Sequence, residues 1–227
     1  MENILSLQNM RNILKQHPVI SHKFLMDFSN GNFTKEQIKF WLEQQFFLSV
    51  SFPDALGFLF SRMPFEHIRE KRKLAEMLLA EARGSGDPDS HEAHFKKLAL
   101  FFGLDADSLL HQKPKNYTQN FIQKRTSICL EKSLDESLAA IAIGNEILNL
   151  HIFQAYTNGI RNTKGLENCP TAYFDVHLRD EIDDFNILNN AFLAVSTNAK
   201  NIEKTILELL DARHVYFDKL LKDMSKI

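Results

Sequence analysis

The scarcity of chain-breaking residues constrains the fold of this chain most. Its 227 residues include only 8 Gly and 6 Pro, so long stretches contain no residue that favours a turn. Apolar residues recur at helical spacing through these stretches, and no run alternates convincingly between apolar and polar residues as a half-buried strand would. The length suffices for one sizeable core and does not require two. We therefore predict an all-α fold, a bundle of about eight to ten helices that forms a single domain over residues 1–227.

Two sequence patterns predict where long helices begin. Segments 34–37 and 133–136 each read as a capping box, in which a hydroxyl residue precedes Gln or Glu by three positions. The helix that starts after the first box should continue past Pro53, which should kink it because proline lacks a backbone donor. The breaker-rich segment 84–88, Gly-Ser-Gly-Asp-Pro, is the clearest predicted loop.

Charge and cysteine usage narrow the function classes. The net charge of -2 gives no electrostatic reason to expect nucleic acid or an anionic membrane as a partner. Cys129 and Cys169 lie far apart and in no metal-binding spacing, which predicts a reducing compartment without a disulfide framework. The polar start lacks a secretory apolar core, and no apolar stretch approaches the roughly 20 residues of a membrane span. We predict a cytoplasmic protein.

Aromatic content points to a bulky interior. The 19 Phe residues can form the wall of a pocket or simply fill a core. Four of them on the predicted long helix are candidates for a substrate pocket: Phe40, Phe47, Phe52 and Phe60. For any one of them, packing in the core is the alternative.

A histidine and several acidic residues follow one another in segment 177–184. His177, Glu181 and Asp184 are spaced at i, i+4 and i+7, so they share one face of a helix. Asp180 lies close to that face and is expected behind the ligands. Burying several like charges is costly unless a cation neutralises them, so a metal accounts for the pattern. The alternative is a solvated acidic face with an unrelated histidine.

Glu81 and His91 flank the predicted loop at 84–88. Glu81 ends one helix among apolar neighbours and His91 begins the next, so their side chains could meet across the turn. His94, one turn further along, competes with His91 for this role. The alternative places Glu81 on an exposed helix end and His91 in an unrelated first turn.

Glu146 lies in the most apolar segment of the chain, 138–150. A carboxylate there needs a partner, which is either a metal or a basic side chain in a structural ion pair. Its small neighbours Ala142 and Gly144 allow close approach of other helices or of a ligand. His151 is expected behind the ligands or in the core.

Together these segments supply two imidazoles and four carboxylates from four helices: Glu81, His91, Glu146, His177, Glu181 and Asp184. Mixed nitrogen and oxygen ligation of this kind suits iron or manganese. Glu and His ligands inside helical bundles are a known arrangement for two bridged metals. Neither cysteine is placed to help, which argues against a structural zinc site.

Four segments resemble one known superfamily. They are 31–40 (Gly-Asn-Phe-Thr-Lys-Glu-Gln-Ile-Lys-Phe), 51–53 (Ser-Phe-Pro), 101–104 (Phe-Phe-Gly-Leu) and 173–177 (Tyr-Phe-Asp-Val-His). Over nearly its whole length the chain resembles the haem-oxygenase-like superfamily, which includes thiaminase II and pyrroloquinoline-quinone synthase. Within it, the chain is most similar to the di-iron oxidases and oxygenases that include the chlamydial protein associating with death domains. The resemblance implies a haem-oxygenase-like helical bundle.

In that family, a Glu and a His flank a loop, a Glu lies on a central helix, and His-x3-Asp-x2-His lies on the next helix. The resemblance places the first four of these ligands on Glu81, His91, Glu146 and His177. The last two family positions, Asp and His, read Glu181 and Asp184 here. Exchange of Asp for Glu is a tolerable ligand change, whereas exchange of His for Asp makes the site more anionic. The resemblance implies two iron ions, with manganese as an alternative, and Asp184 leaves the occupancy of one position open.

The expected function is that of a non-haem oxygenase or oxidase. It would activate O2 to oxidise a small amine, amino-acid or fatty-acid-like substrate in an apolar pocket, as a homodimer. Two alternatives remain open. One is a metal-free enzyme of the same fold, in which Glu146 and His177 would be acid/base groups. The other is a non-catalytic interaction protein.

Particular branches of the superfamily fit less well. Thiaminase II has a catalytic Cys on the central helix, where this chain has Gly144 and Asn145. The chlamydial branch consumes one of its own tyrosines to make p-aminobenzoate, and the matching position here is Leu25. Neither reaction is therefore predicted.

Overall fold

A computed structural model describes residues 7–84, 86–196 and 201–227. These ranges contain no strand, which confirms the predicted all-α class. Their α-helices are α1 Leu7–Gln16, α2 Lys23–Ser29, α3 Lys35–Val50, α4 Phe52–Arg62, α5 Ile68–Glu81, α6 His91–Phe101, α7 Ala106–Leu109, α8 Asn116–Glu131, α9 Leu134–Ile141, α10 Leu148–Asn162, α11 Ala172–Val195 and α12 Ile202–Met224. Two 3-10 turns, Pro18–Ser21 and Phe65–His67, precede α2 and α5.

Both predicted helix starts carry a hydroxyl cap. Thr34 and Gln37 form the complete box, since the Gln37 backbone N–H donates to Thr34 Oγ1 over 3.2 Å and the Thr34 N–H donates to Gln37 Oε1 over 2.9 Å. Ser133 Oγ accepts a weaker bond of 3.4 Å from the Glu136 N–H. The Glu136 carboxylate accepts instead from Thr205 Oγ1 on α12, so the second cap also links two helices.

The long helix that Pro53 was expected to kink is divided into two helices near that proline. α3 ends at Val50 and α4 begins at Phe52, which places Pro53 in the first turn of α4. A proline costs no hydrogen bond at that position. The Ser51 hydroxyl donates to the carbonyl of Phe47 over 2.6 Å and stabilises the end of α3.

The central helix is continuous over Leu134–Asn162 but contains a π-helical segment, Ala142–Ile147, between α9 and α10. By length and composition alone this helix could cross a membrane, but 72% of its most apolar window is buried inside the fold. It is therefore the core helix around which the others pack. The backbone of α10 passes very close to α2 at Gly159. A methyl group added at Gly159 would therefore overlap the carbonyl of Phe28.

α11 connects the elements that carry the predicted ligands. It packs against the π segment, α5 and α6. Glu81 ends α5, His91 begins α6, and Glu146 lies in the π segment. The topology therefore brings four stretches of sequence together at one end of the core.

Candidate metal centre

Glu81 and His91 meet across the loop that separates their helices. His91 Nδ1 lies 3.2 Å from Glu81 Oε2. The Ser90 hydroxyl accepts a hydrogen bond from the Ala93 N–H and caps α6, which sets His91 in the first turn. His91 Nε2 lies 4.0 Å from Asp180 Oδ2 on α11. The loop thus delivers one carboxylate and one imidazole to the same end of α11.

His177 is held by aromatic rings on two sides. The ring of Phe153 stacks on it with centroids 4.1 Å apart and planes at 9°, and the ring of Tyr173 meets it edge-on at 4.9 Å. The rings of His177 and His91 have centroids 4.5 Å apart. His177 Nδ1 lies 3.3 Å from Glu181 Oε1, one turn along α11. The two imidazoles are thus fixed side by side.

The π segment turns two consecutive polar residues inward. Asn145 and Glu146 are only 3% and 2% exposed, and both line one cavity. A π turn widens the helix locally and is frequent at functional sites. Asn145 Nδ2 donates to Glu146 Oε1 over 3.2 Å. Asn149, at the start of α10, donates to Glu181 Oε1 over 3.2 Å, so an amide fixes each of these carboxyl groups.

Three of the carboxyl groups at this site, those of Glu146, Glu181 and Asp184, have a pKa above the usual range of a carboxyl group. Burial raises the pKa of Glu146 well above its usual range, and the charges of Glu181 and Glu81 raise it further. Burial and the charge of Glu81 raise the pKa of Glu181 to about 8. The pKa of Asp184 is also raised to about 8, by burial and by the charge of Glu146. So many carboxyl groups in one buried place indicate a missing positive charge.

The Glu81 and His91 pair behaves differently. Burial alone would raise the pKa of Glu81, but its hydrogen bond to His91 and the charge of that ring outweigh burial and lower it. The same contact raises the pKa of His91 against the effect of burial. Burial, followed by the charge of His91, lowers the pKa of His177 to about 3. His177 is therefore neutral and can donate a lone pair.

Among the candidate ligands, two buried atoms have no hydrogen-bond partner in the described parts of the chain: His177 Nε2 and Glu181 Oε2. The Nδ1 atom of His177 faces a carboxylate, and this contact is typical of metal-binding imidazoles because it fixes the tautomer that leaves Nε2 free. Unpaired buried polar atoms are rare in folded proteins. The donor set of nitrogen and carboxylate oxygen suits iron. The residues present therefore fit an iron site.

The cavity beside these groups measures about 310 Å³. Five of the six predicted ligands line it: Glu81, His91, Glu146, His177 and Glu181. Asp184 is half-buried and is not in the cavity wall. Its apolar wall includes Phe46, Phe52, Phe95 and Phe153. A volume near 300 Å³ is at the lower end for small-molecule sites, so the space suits a small ligand.

Of the four predicted pocket phenylalanines, Phe52 lines this cavity. Phe40, Phe47 and Phe60 are not among the residues of its wall and instead pack, half-buried, against the outside of the core. Phe40 lies under Lys115 Nζ at 5.6 Å and Phe60 under Lys71 Nζ at 5.0 Å. On α3 the cavity wall includes Gln45, Phe46, Leu48 and Ser49. Phe40 and Phe47, seven residues apart on the same helix, lie on its opposite face.

The two residues expected behind the ligands have different outcomes. Asp180 lies beside His91, as described above, and also pairs with Arg179 over 2.6 Å. His151 is exposed on α10, away from the cavity wall, and burial and the nearby charge of Lys15 lower its pKa. The exposed position of His151 places it neither behind the ligands nor in the core, because five residues after Glu146 the helix has turned to another face.

Several polar residues of the cavity wall escaped prediction, among them Asn145, Asn149, Arg125 and Arg213. The two asparagines flank Glu146 in an apolar segment, and that pattern could have indicated them. The arginines lie on α8 and α12 among many polar residues, so nothing local distinguished them.

A second histidine cluster lies between α2 and α12. His22, His214 and Asp218 bring one potential ligand atom each within 4.8 Å of one another. However, His22 Nδ1 accepts a hydrogen bond from the Phe24 N–H, so a neutral His22 carries its proton on Nε2. That N–H faces Asp218 Oδ1 at 3.2 Å. His22 therefore caps α2 and ties it to α12, and the atom a metal would need is occupied by a proton.

Comparisons with known proteins agree with this geometry. The model of a family described as iron-containing redox enzymes matches residues 39–184. The chain is 23% identical to a 4-aminobenzoate synthase of Nitrosomonas europaea over 77% of its own length and 73% of that protein. It is also 23% identical to a 4-aminobenzoate synthase of Chlamydia pneumoniae, covering 76% of this chain and 74% of that one.

The fold has well-matched counterparts among solved structures. A TenA homologue from P. horikoshii OT3 superposes with a TM-score of 0.74 at 14% identity, covering 95% of this chain and 97% of that one. This similarity confirms the haem-oxygenase-like fold that the sequence predicted.

Proposed function

The chain belongs to the family of iron-containing redox enzymes and is an oxidoreductase, and from this premise we propose that it is a non-haem di-iron oxidase or oxygenase. In this proposal it uses O2 to oxidise a small organic substrate. The observation that carries the proposal is the buried carboxyl cluster around Glu146, with the unpartnered Nε2 of His177 beside it. Such a cluster is costly in a metal-free core and becomes favourable when cations neutralise it.

The proposed metal ligands are Glu81, His91, Glu146, His177, Glu181 and Asp184. Iron is the proposed metal, with manganese as an alternative for one or both positions. The bound metal would supply the redox chemistry with O2 that protein side chains lack. Four carboxylates balance the charge of two divalent ions. Asp184 is half-buried and is not in the cavity wall that the other five proposed ligands line, so the ion that it would help to hold should be the more weakly bound.

The surrounding residues would orient the ligands and exclude water. Asn145 and Asn149 each donate to a ligand carboxylate, which fixes the oxygen that remains free for a metal. Phe153 and Tyr173 hold the His177 ring in one plane. The phenylalanine wall keeps bulk water away from the cavity, where electrostatic interactions are stronger than in solvent.

Oxygen consumption tests this proposal. Protein loaded anaerobically with ferrous iron should take up O2 in a burst proportional to the protein concentration, with a transient absorption. Glu146→Gln and His177→Ala should lose the burst. His151→Ala is the matched control, because His151 is an exposed histidine outside the cavity wall, and it should behave as wild type. Iron-loaded wild type that takes up no O2 would refute the proposal.

A second candidate is formation of 4-aminobenzoate, the activity in the names of both relatives. Tyr173 lines the cavity beside His177, so a tyrosine lies at the site although Leu25 stands at the family's sacrificial position. The intact protein mass after reaction with iron and O2 separates the candidates. An unchanged mass supports oxidation of an external substrate, whereas loss of mass confined to Tyr173 supports the second candidate.

The metal-free alternative is less well supported. The thiaminase-type reaction needs a cysteine in the cavity, and neither Cys129 nor Cys169 is in its wall. A cytoplasmic location and a homodimeric state remain predictions from the sequence.

A further inference from the structure

Two buried arginines line the cavity beside the candidate metal centre. Arg125 on α8 is 2% exposed and Arg213 on α12 is 4% exposed, and both are in the cavity wall. In the parts of the chain that the structure describes, neither guanidinium lies within ion-pair distance of a carboxylate. A buried charge is costly unless an opposite charge compensates it. The two cations therefore need a partner.

Neutral groups hold both guanidiniums in place. Arg125 Nη2 donates to the carbonyl of Leu48 over 3.1 Å and to Ser51 Oγ over 2.9 Å. Arg213 Nη2 donates to Asn145 Oδ1 over 3.3 Å. The Nε atoms of both arginines are buried without a hydrogen-bond partner. Each side chain thus keeps donor capacity that nothing in the described chain uses.

The two charges share one aromatic ring. The Cζ atom of Arg213 lies 4.1 Å from the centroid of Phe121, and that of Arg125 lies 5.9 Å from it. Burial and the charge of Arg213 lower the pKa of Arg125 to about 10, which leaves Arg125 charged at neutral pH. The guanidinium of an arginine is in general protonated at neutral pH. A ring contact compensates a guanidinium only in part. An anion that contacts both would remove the remaining cost.

The chemistry of the site favours a ligand over an internal role. On the proposed function, two divalent ions balance the four ligand carboxylates, and the arginine pair then remains as a surplus of positive charge. Arg213 contacts Asn145, which contacts Glu146, so an anion at the pair would lie close to the metal ligands. Phe52 and Phe153 supply an apolar wall in the same cavity.

We propose that Arg125 and Arg213 bind the carboxylate group of the substrate, so that the substrate is a small carboxylic acid with an apolar body. This inference rests on the proposed function where it identifies the bound anion as the substrate. The presence of an anion-binding site does not depend on the proposed function. The planar guanidinium fork matches a planar carboxylate. Simple amines, which carry the same charge as the arginines, are excluded as substrates.

Calorimetric titration of the metal-free protein tests the site without any contribution from iron. The probes are benzoate and hexanoate, with benzamide and hexanamide as neutral counterparts of equal size. At neutral pH both probe acids are ionised, so each presents the carboxylate that the arginine pair is proposed to bind. We expect wild type to bind at least one acid with at least tenfold higher affinity than its amide.

Lysine variants identify the residues. Arg125→Lys and Arg213→Lys keep the charge but lose the fork, and each should weaken acid binding about tenfold or more. Arg62→Lys is the matched control, since the guanidinium of Arg62 donates to the carbonyls of Cys129 and Lys132 and is outside the cavity wall. It should leave acid binding unchanged. If a variant does not fold, the difference between the affinities of wild type for the acid and for the amide still tests the inference.

Equal affinity for acid and amide, no binding of either acid, or phenyl phosphate binding more tightly than benzoate would overturn the inference. The assay separates the two proposals. Iron binding without acid binding would refute the anion site and leave the proposed function standing. Acid binding without iron binding would refute the proposed function and leave the anion site standing.

Discussion

Replacing Glu181 by Gln should stabilise the metal-free protein at high pH. Glu181 is 2% exposed, and one of its carboxyl oxygens has no hydrogen-bond partner. Burial and the charge of Glu81 raise its pKa from 4.5 to about 8. Gln keeps the shape and the oxygen that accepts from Asn149, but it never ionises. The variant therefore removes the cost of burying this carboxylate and leaves the packing unchanged.

The direction follows from the linkage between protonation and folding. Below a pH of about 4.5, the Glu181 carboxyl is neutral in both the folded and the unfolded protein. As the pH rises towards 8, the unfolded chain releases the proton while the folded protein keeps it, so the folded state loses stability. Each tenfold change in the acid constant corresponds to about 1.4 kcal/mol. The loss between about pH 5 and pH 9 is thus at most about 4 kcal/mol, and solvent penetration should reduce it to about 2 kcal/mol or more.

Urea denaturation of the metal-free proteins measures this effect. At about pH 5, Glu181→Gln and wild type should differ in free energy of unfolding by less than about 1 kcal/mol. At about pH 9 the variant should be more stable by about 2 kcal/mol or more. Glu76→Gln, on the exposed surface of α5, is the control and should change stability by less than about 0.5 kcal/mol at either pH. A Glu181→Gln difference that does not change with pH would refute the reasoning.

Three further outcomes are expected. Gly159→Ala should destabilise the protein by about 3 kcal/mol or more, because the added methyl overlaps a neighbouring backbone. Gly57 has open space around it, so Gly57→Ala should instead stabilise the protein by up to about 1 kcal/mol. Thermal melts measure both effects. Asn149→Ala, which removes a donor to Glu181, should weaken iron binding about 10- to 100-fold in a chelator competition. Iron affinity of wild type should rise between about pH 5 and pH 8, because the metal competes with the protons on Glu181 and Asp184.

Much of the helical architecture could be predicted because it depends on local chemistry. The cap at Thr34 needs only a hydroxyl and an amide three residues later, and both hydrogen bonds are present. Pro53 was expected to kink the long helix, and the helix is interrupted at Ser51, two residues before it. Whether a proline kinks a helix or starts a new one depends on the packing of both halves, which no local pattern contains.

The candidate ligands could be recognised where a charge conflicts with its neighbours. Glu146 could be predicted as a candidate ligand because its segment is otherwise apolar, and its side chain is buried, with 2% exposure. The π segment that turns Asn145 inward beside it was not predicted, because no residue type marks such a segment. Arg125 and Arg213 are typical of polar helix faces by sequence, and only the tertiary structure shows that they are buried.

The central claim is that six residues hold a dinuclear iron centre, and the number of iron ions bound per chain tests it most directly. Wild type loaded anaerobically with ferrous iron and freed of excess metal should retain about two ions per chain. Glu146→Ala and His177→Ala should lose them, while His151→Ala should retain them. One ion per chain would contradict dinuclearity. No iron bound by wild type would contradict the account as a whole.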